Sequence, residues 1–294
     1  MTARALTISA GDAERFALQL ARELRCWLLT VPAGVGWATL RACCKLLIGF
    51  KPTNSGVWSA GNGPAMRSAV LGVTARDDVH LQELVRSSAR ITHTDPRAEE
   101  GALLVARAAR SGLADPAQSA LMFLRNEARR IQGDELREQM DEVVKGLGRR
   151  QSCQEFAELR GWQRGVTGYV NRTVPAAIYC WAASPQDFRQ SVTSAVLLGG
   201  DTDTVAAITG AVSGANLGVS AIPSEWLSSL TEWPRTVNWI ERLAAALLQA
   251  METGESQIPP RMHWLATIPR NLLFAASVIS LGLRRLLPPY GGQS

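Results

Sequence analysis

Apolar residues recur along most of this chain at three- and four-residue intervals, while strict alternation, the mark of a half-buried strand, is nearly absent. Phe16, Leu20, Leu24 and Trp27 share one helical face behind Asp12, a good N-cap. The pattern predicts a helix over 1–10 stopped at Gly11, then helices over 15–27 and 37–48. A loop rich in Gly, Asn and Ser covers 51–64. Further helices are expected over 65–74, 77–92, 96–111, 116–131, 135–147, 167–181 and 185–197. The uncharged stretch 205–222 reads as a buried central helix. Gly210, Gly214 and Gly218 recur in it at four-residue spacing. Glycine costs about 1 kcal/mol per residue in a helix relative to Ala, so three on one face predict very close helix packing. The chain is therefore expected to be all-α, a single domain over 1–294 with a flexible tail at 288–294.

Composition narrows the classes. Apolar residues make up 46% of the 294 positions and charged residues 19%, a balance that fits a folded globular chain. The net charge is +5, but basic residues are interleaved with acids, as at Arg22-Glu23 and Arg137-Glu138, which argues against a nucleic-acid partner. The five cysteines form no C-x-x-C pair, a reduced pattern that predicts a cytoplasmic protein. The apolar stretch 272–283, flanked by Arg270 and Arg284-Arg285, is too short to span a membrane. Both it and 205–222 read as core helices, with an amphipathic surface-binding role as the alternative for the basic-flanked 272–283, and with no membrane span.

Candidate chemistry concentrates at 199–204, Gly-Gly-Asp-Thr-Asp-Thr. Asp201, Asp203 and Thr204 place two carboxylates and a hydroxyl at the mouth of an apolar helix. One reading is helix capping, since Asp and Thr accept from free N–H groups of a first turn. The other is a cation site. Its ligands would all be oxygen, which suits Mg²⁺, Ca²⁺ or Mn²⁺ and not zinc or copper. A second candidate is 59–67, Ser-Ala-Gly-Asn-Gly-Pro-Ala-Met-Arg, where glycines flanking Asn62 would let backbone approach a ligand. A third is His93, between Thr92 and Thr94. His80 and His263 read as structural. Neither a P-loop nor a dinucleotide fingerprint is present.

Residues 199–218, GGDTDTVAAITGAVSGANLG, resemble the signature of the ADP-ribosylglycohydrolase family, of the dinitrogenase-reductase-activating type. The 59–67 and 92–95 segments resemble its second and third motifs. The resemblance implies a compact orthogonal multi-helix domain. It implies a hydrolase that removes ADP-ribose from modified proteins or small molecules, cleaving at the anomeric carbon of the ribose with two Mg or Mn ions. By that resemblance Asp201, Asp203 and Thr204 are metal ligands, with Asp201 and Asp203 catalytic. By the same resemblance Ser59, Gly61, Asn62, Gly63, Arg67 and His93 are candidates for contact with ADP-ribose, the alternative for Arg67 being a pairing with a structural carboxylate. The family also carries an upstream Gly-Asp-x-x-Gly loop and a Thr/Ser-Asp-Asp-Thr motif. The first helix here begins without an N-cap, so the chain is expected to lack that segment and its metal ligands. Asp77-Asp78, followed by Val79, is no substitute. This predicts at most one weakly held cation and impaired hydrolysis, or alternatively an inactive ADP-ribose-binding relative.

Overall fold

The computed structural model describes residues 1–114 and 119–286. Among the described residues there are sixteen α-helices and, in place of strands, three isolated β-bridges. The helices are α1 (Thr2–Ser9), α2 (Ala13–Leu29), α3 (Trp37–Leu47), α4 (Pro52–Ser55), α5 (Ala69–Thr74), α6 (Asp78–Arg90), α7 (Pro96–Ala114), α8 (Ala120–Ala128), α9 (Asp134–Gly148), α10 (Cys153–Leu159), α11 (Val170–Ala183), α12 (Phe188–Leu197), α13 (Thr202–Leu217), α14 (Ser224–Ser228), α15 (Val237–Thr253) and α16 (Trp264–Leu286). The all-α class holds.

Side-chain caps open several of the helices. Asp12, Asp77 and Asp187 accept from the backbone N–H groups of Arg15, His80 and Gln190, which opens α2, α6 and α12. Left-handed Ala10 is the C-cap of α1, and Gly11, also at positive φ, follows as its C′ stop. The expected 65–74 helix is a 3-10 turn at Ala65–Arg67 followed by α5. Residues 167–169 are loop, because Tyr169 is the N-cap of α11. The α4, α10, α14 and α15 helices had no counterpart in the pattern; α4 lies inside the expected 51–64 loop, and α10 is announced only by the reciprocal cap between Ser152 and Glu155. The start of the 116–131 helix and the 288–294 tail lie outside the described residues.

Two buried clusters flank α7. One packs Leu6, Phe16, Leu20, Leu24, Leu81 and Leu84 against its Ala102 and Ala106. The other packs Val174, Ile178, Val205, Ile208 and Val212 against its Leu104, Val105, Ala108 and Ala109. α13 lies inside the second cluster, against α7, α11 and α12. Thr209, its buried hydroxyl in the middle, donates to the Val205 carbonyl 2.9 Å away and reaches the Ala177 carbonyl at 3.1 Å, so burying it leaves no orphan.

The glycine expectation is corrected. A Cβ at Gly210 or Gly214 would sit 3.4–3.6 Å from Val192 or Phe188, ordinary contact, and Gly218 is the left-handed stop of α13. The close approach is elsewhere, between α5 and α7, where a Cβ at Gly72 would lie 1.9 Å from the Ala106 carbonyl oxygen. The reading of 272–283 as a core helix is also overturned. It is part of α16, and only 12% of its most apolar window, within Trp264–Arg284, is buried. That helix, with a mean hydropathy of 1.4, is long and apolar enough to cross a membrane by length and composition.

These contacts predict opposite signs for two similar changes. Gly72→Ala drives a methyl group into α7 backbone and destabilises the fold by about 2 kcal/mol or more. Gly214→Ala meets only the edge of Phe188, gains helix propensity, and stabilises by about 0.5–1 kcal/mol. Urea denaturation of the two variants checks both.

Candidate functional site

Four loops converge at one end of α13, held by the three bridges. Val57 pairs with the 92–94 segment through Val57 N–H to the Thr92 carbonyl (3.2 Å) and Thr94 N–H to the Val57 carbonyl (2.9 Å). The 60–62 segment pairs with 168–170 through Asn62 N–H to Gly168 (3.1 Å) and Val170 N–H to Ala60 (2.9 Å). Val166 pairs with 199–201 through its N–H to Gly199 (3.1 Å) and Asp201 N–H to its carbonyl (2.7 Å). Gly200 has no alternative at this point. Its φ is +76°, and a Cβ would lie 2.2 Å from the Val166 oxygen.

Asp201 stands at the N-cap position of α13, yet its carboxylate caps nothing. Oδ1 accepts from the Thr204 hydroxyl at 2.9 Å, and Oδ2 accepts from Asn62 Nδ2 at 2.6 Å. Asn62 Nδ2 also reaches Thr173 Oγ1 at 3.0 Å. That hydroxyl spends its own proton on the Thr167 carbonyl, 2.8 Å away, so it can accept here. Facing a carboxylate and a committed hydroxyl, the Asn62 amide must present nitrogen. The adjacent acid, Asp203, lies exposed in the first turn of α13 and has no hydrogen bond or ion pair among the described residues. Capping therefore does not account for either acid.

His93 is buried between two glycines. A Cβ at Gly61 would lie 2.9 Å from its Nε2, and one at Gly63 would lie 3.0 Å from its Cε1. The glycines make room for an imidazole, not only for a ligand. On its other side His93 Nδ1 meets Thr92 Oγ1 at 2.9 Å, and Arg67 Nη2 donates to that same oxygen at 2.7 Å. The Thr92 proton has a better acceptor in Nδ1 than in the Ala89 carbonyl at 3.5 Å. His93 is thereby fixed with its proton on Nε2. Burial first, and the nearby Arg67 charge second, push its pKa down to about 4, against a smaller pull upward from Asp95. At neutral pH it is an uncharged donor.

A cavity of about 400 Å³ is lined by Ser59, Gly61, Asn62, Gly63, His93, Asp201, Asp203 and Thr204. The structure thus brings together every proposed site residue but one. Arg67 does not line the cavity; its guanidinium donates to Gly63, Ser88 and Thr92, and burial draws its pKa to about 10. Its expected ligand contact is corrected to support of the loop and of His93. Sequence reasoning missed Trp37, Thr39 and Gly168, which also line the cavity. An aromatic directly after Gly36 was the available signal for Trp37. The donor set fits one hard cation, with Asp201, Asp203 and Thr204 presenting oxygen only. Among the described residues no cluster of three or more His, Cys, Asp or Glu could hold a metal. Asp78, the nearest candidate by motif, pairs instead with Arg107 and Arg130.

His93 makes the protein sensitive to acid. Its folded pKa lies below the ordinary 6.5, so the unfolded chain binds the proton more tightly. The His93 contribution to stability is full above pH 6.5, declines as pH falls towards 4, and levels off below; that loss is about 3 kcal/mol. Asp95, held below the usual carboxylate range first by its bond to Arg97, titrates beneath that window. Denaturant melts of the protein and of His93→Gln between pH 7 and 4 should diverge in slope across it.

A family model described as ADP-ribosylglycohydrolase matches residues 1–257. A protein of Archaeoglobus fulgidus is 32% identical over 241 residues, covering 81% of this chain and 73% of its own length. The ADP-ribosylhydrolase ARH3 of Gallus gallus is 28% identical over 257 residues, covering 76% of this chain and 68% of that protein. A solved structure titled ADP-ribosylglycohydrolase-related protein complex superimposes with a TM-score of 0.62 at 28% identity, over 85% of this chain and 77% of that one. With its motif residues gathered on one cavity and its match running from the first residue to residue 257, the chain belongs to the ADP-ribosylglycohydrolase family.

Proposed function

We propose that this cavity takes the ADP-ribosyl group of a modified protein or small molecule, and that the bond at its anomeric carbon is hydrolysed there slowly. The observation that carries the reading is the joint lining of one cavity by Asp201, Asp203, Thr204, Asn62 and His93. Its volume of about 400 Å³ falls within the range of small-molecule sites. The five cysteines are free thiols, in keeping with a reducing, cytoplasmic setting.

Charge decides how such a ligand could enter. A diphosphate approaching two carboxylates is repelled unless a cation lies between them. Asp201, Asp203 and Thr204 would hold Mg²⁺ or Mn²⁺, which when bound supplies Lewis-acid polarisation of an oxygen. Asn62 keeps the Asp201 carboxylate in one orientation, leaving its outward lone pairs available. The His93 Nε2–H donates to a ribose or phosphate oxygen without adding charge. Two carboxylates neutralise only half the charge of a pair of divalent ions. The site therefore suits one cation with water completing its shell, and loose placement of about 1 Å costs about a hundredfold in rate.

Titration calorimetry with ADP-ribose tests this. Binding should need Mn²⁺ or Mg²⁺, weaken at least about tenfold in EDTA, and lose its metal dependence in Asp203→Ala. No binding with or without metal overturns the reading. Turnover of ADP-ribosyl-arginine or ADP-ribosyl-serine peptides within the usual enzyme range of about 1–1000 per second, abolished by Asp203→Ala, would overturn slow hydrolysis and leave recognition standing. A pure binder would show metal-dependent affinity and no turnover.

Asn62→Ala should leave the fold intact and weaken Mn²⁺ about 10–100-fold, because the freed Asp201 side chain must be ordered by the metal itself. Paramagnetic titration of Mn²⁺ reads this directly.

A further inference from the structure

The cavity uses none of the five cysteines, and two of them lie together. Cys153 is the first residue of α10, and Cys180 sits inside α11. Contacts on either side fix their register. Tyr179, the residue before Cys180, donates from its hydroxyl to the Gln151 carbonyl, 2.8 Å away. Its ring stacks on Phe156 with centroids 3.9 Å apart and 6° between the planes. Gln151 and Phe156 bracket Cys153 in the chain, so one aromatic side chain holds both ends of that stretch and brings residue 153 up to residue 180. The two thiols are hydrogen-bonded, the Cys180 S–H donating to the Cys153 sulfur, and the Ser194 hydroxyl of α12 is a second donor to it.

The two sulfurs are unequal. Cys153 is half-buried, whereas Cys180 is wholly buried. The bond from Cys180 draws the Cys153 thiol below its ordinary range, against the effect of burial, and Ser194 adds to the pull. The same bond, and burial after it, hold Cys180 well above that range. Thiolate is the nucleophilic form, so reactivity falls on the sulfur that solvent reaches. Cys43 is the opposite case, pushed up to about 11 by burial.

We propose that Cys153 and Cys180 are an oxidisable dithiol that a hydroperoxide converts to a disulfide. The Cys153 thiolate attacks a peroxide oxygen, the O–O bond breaks, and the departing oxygen takes up a proton. Sulfenic acid is left at Cys153. The Cys180 sulfur then loses its proton and attacks the Cys153 sulfur, the S–O bond breaks, and water leaves. Two thiols give up two protons and two electrons, and hydrogen peroxide becomes two waters. Sulfurs already in contact need little backbone movement to reach a bond of about 2 Å. Segment 153–180 carries one side of two bridges that build the cavity, Gly61 with Tyr169 and Val166 with Gly200. The crosslink therefore closes a loop around part of the cavity wall. The dithiol needs nothing from the cavity chemistry, so the two readings stand or fall separately.

Peptide mapping of the full chain tests the pair. After brief treatment with hydrogen peroxide, alkylation and digestion without reductant, a Cys153–Cys180 linked peptide should appear and should vanish with dithiothreitol. Cys180→Ser should stop the reaction at sulfenic acid, which dimedone traps at Cys153 at least about tenfold more than at exposed Cys44. Cys153→Ser should leave Cys180 reduced, because its sulfur is shut off from the oxidant. The linked peptide is read in the parent chain, so the result does not depend on either variant folding. Absence of that peptide overturns the proposal, as does dimedone trapping at Cys44 equal to that at Cys153.

Discussion

Two loops 139 residues apart in the chain meet at one hydrogen bond, from Asn62 Nδ2 to Asp201 Oδ2. The cavity depends on that meeting. The body beneath is helical and can place only helix ends; the loops between them have no sheet to register them. Backbone pairing is supplied one bridge at a time, and each bridge joins a different pair of loops. A carboxylate-to-amide bond across the last gap then fixes the side chain that faces the ligand. A charge-assisted bond of this kind is roughly twice as strong as a neutral one. It also removes the option of an Asp201 helix cap, which leaves the acid oriented into the cavity.

How much could be read beforehand follows from how local each feature is. The caps at Asp12, Asp77 and Asp187 are contained within four residues, and the helices behind them were legible. So was the candidate site, because its motifs are contiguous segments. The purpose of Gly61 and Gly63 was not, since the group they accommodate is the His93 ring thirty-odd residues on. Arg67 looked like a ligand because a basic residue beside a Gly-Asn-Gly turn is chemically plausible there; only the fold shows its donors already committed. The α16 error has the same root. Apolarity says that a segment avoids water, but not what it hides behind.

Electrostatics divides the acids by role. Asp78 and Glu127 share Arg107 and Arg130 in a four-member network beside a second cavity of about 370 Å³, and their charges are neutralised in place. Asp95 is answered by Arg97. Asp201 and Asp203 lack any basic partner among the described residues, so their charge remains available to whatever enters the cavity. An uncompensated pair of carboxylates is tolerable here because it opens to solvent at the start of α13, where the helix dipole favours negative charge.

The sealing of His93 between Gly61 and Gly63 ties three positions into one unit of change. A side chain can be added at either glycine only if the ring at 93 is given up, and a smaller residue at 93 leaves a void that a methyl group at 61 or 63 would fill. Single steps in either direction pass through a clash or a hole. These three sites should therefore drift together or not at all. A library that varies them one at a time would miss every alternative packing that the loop can support.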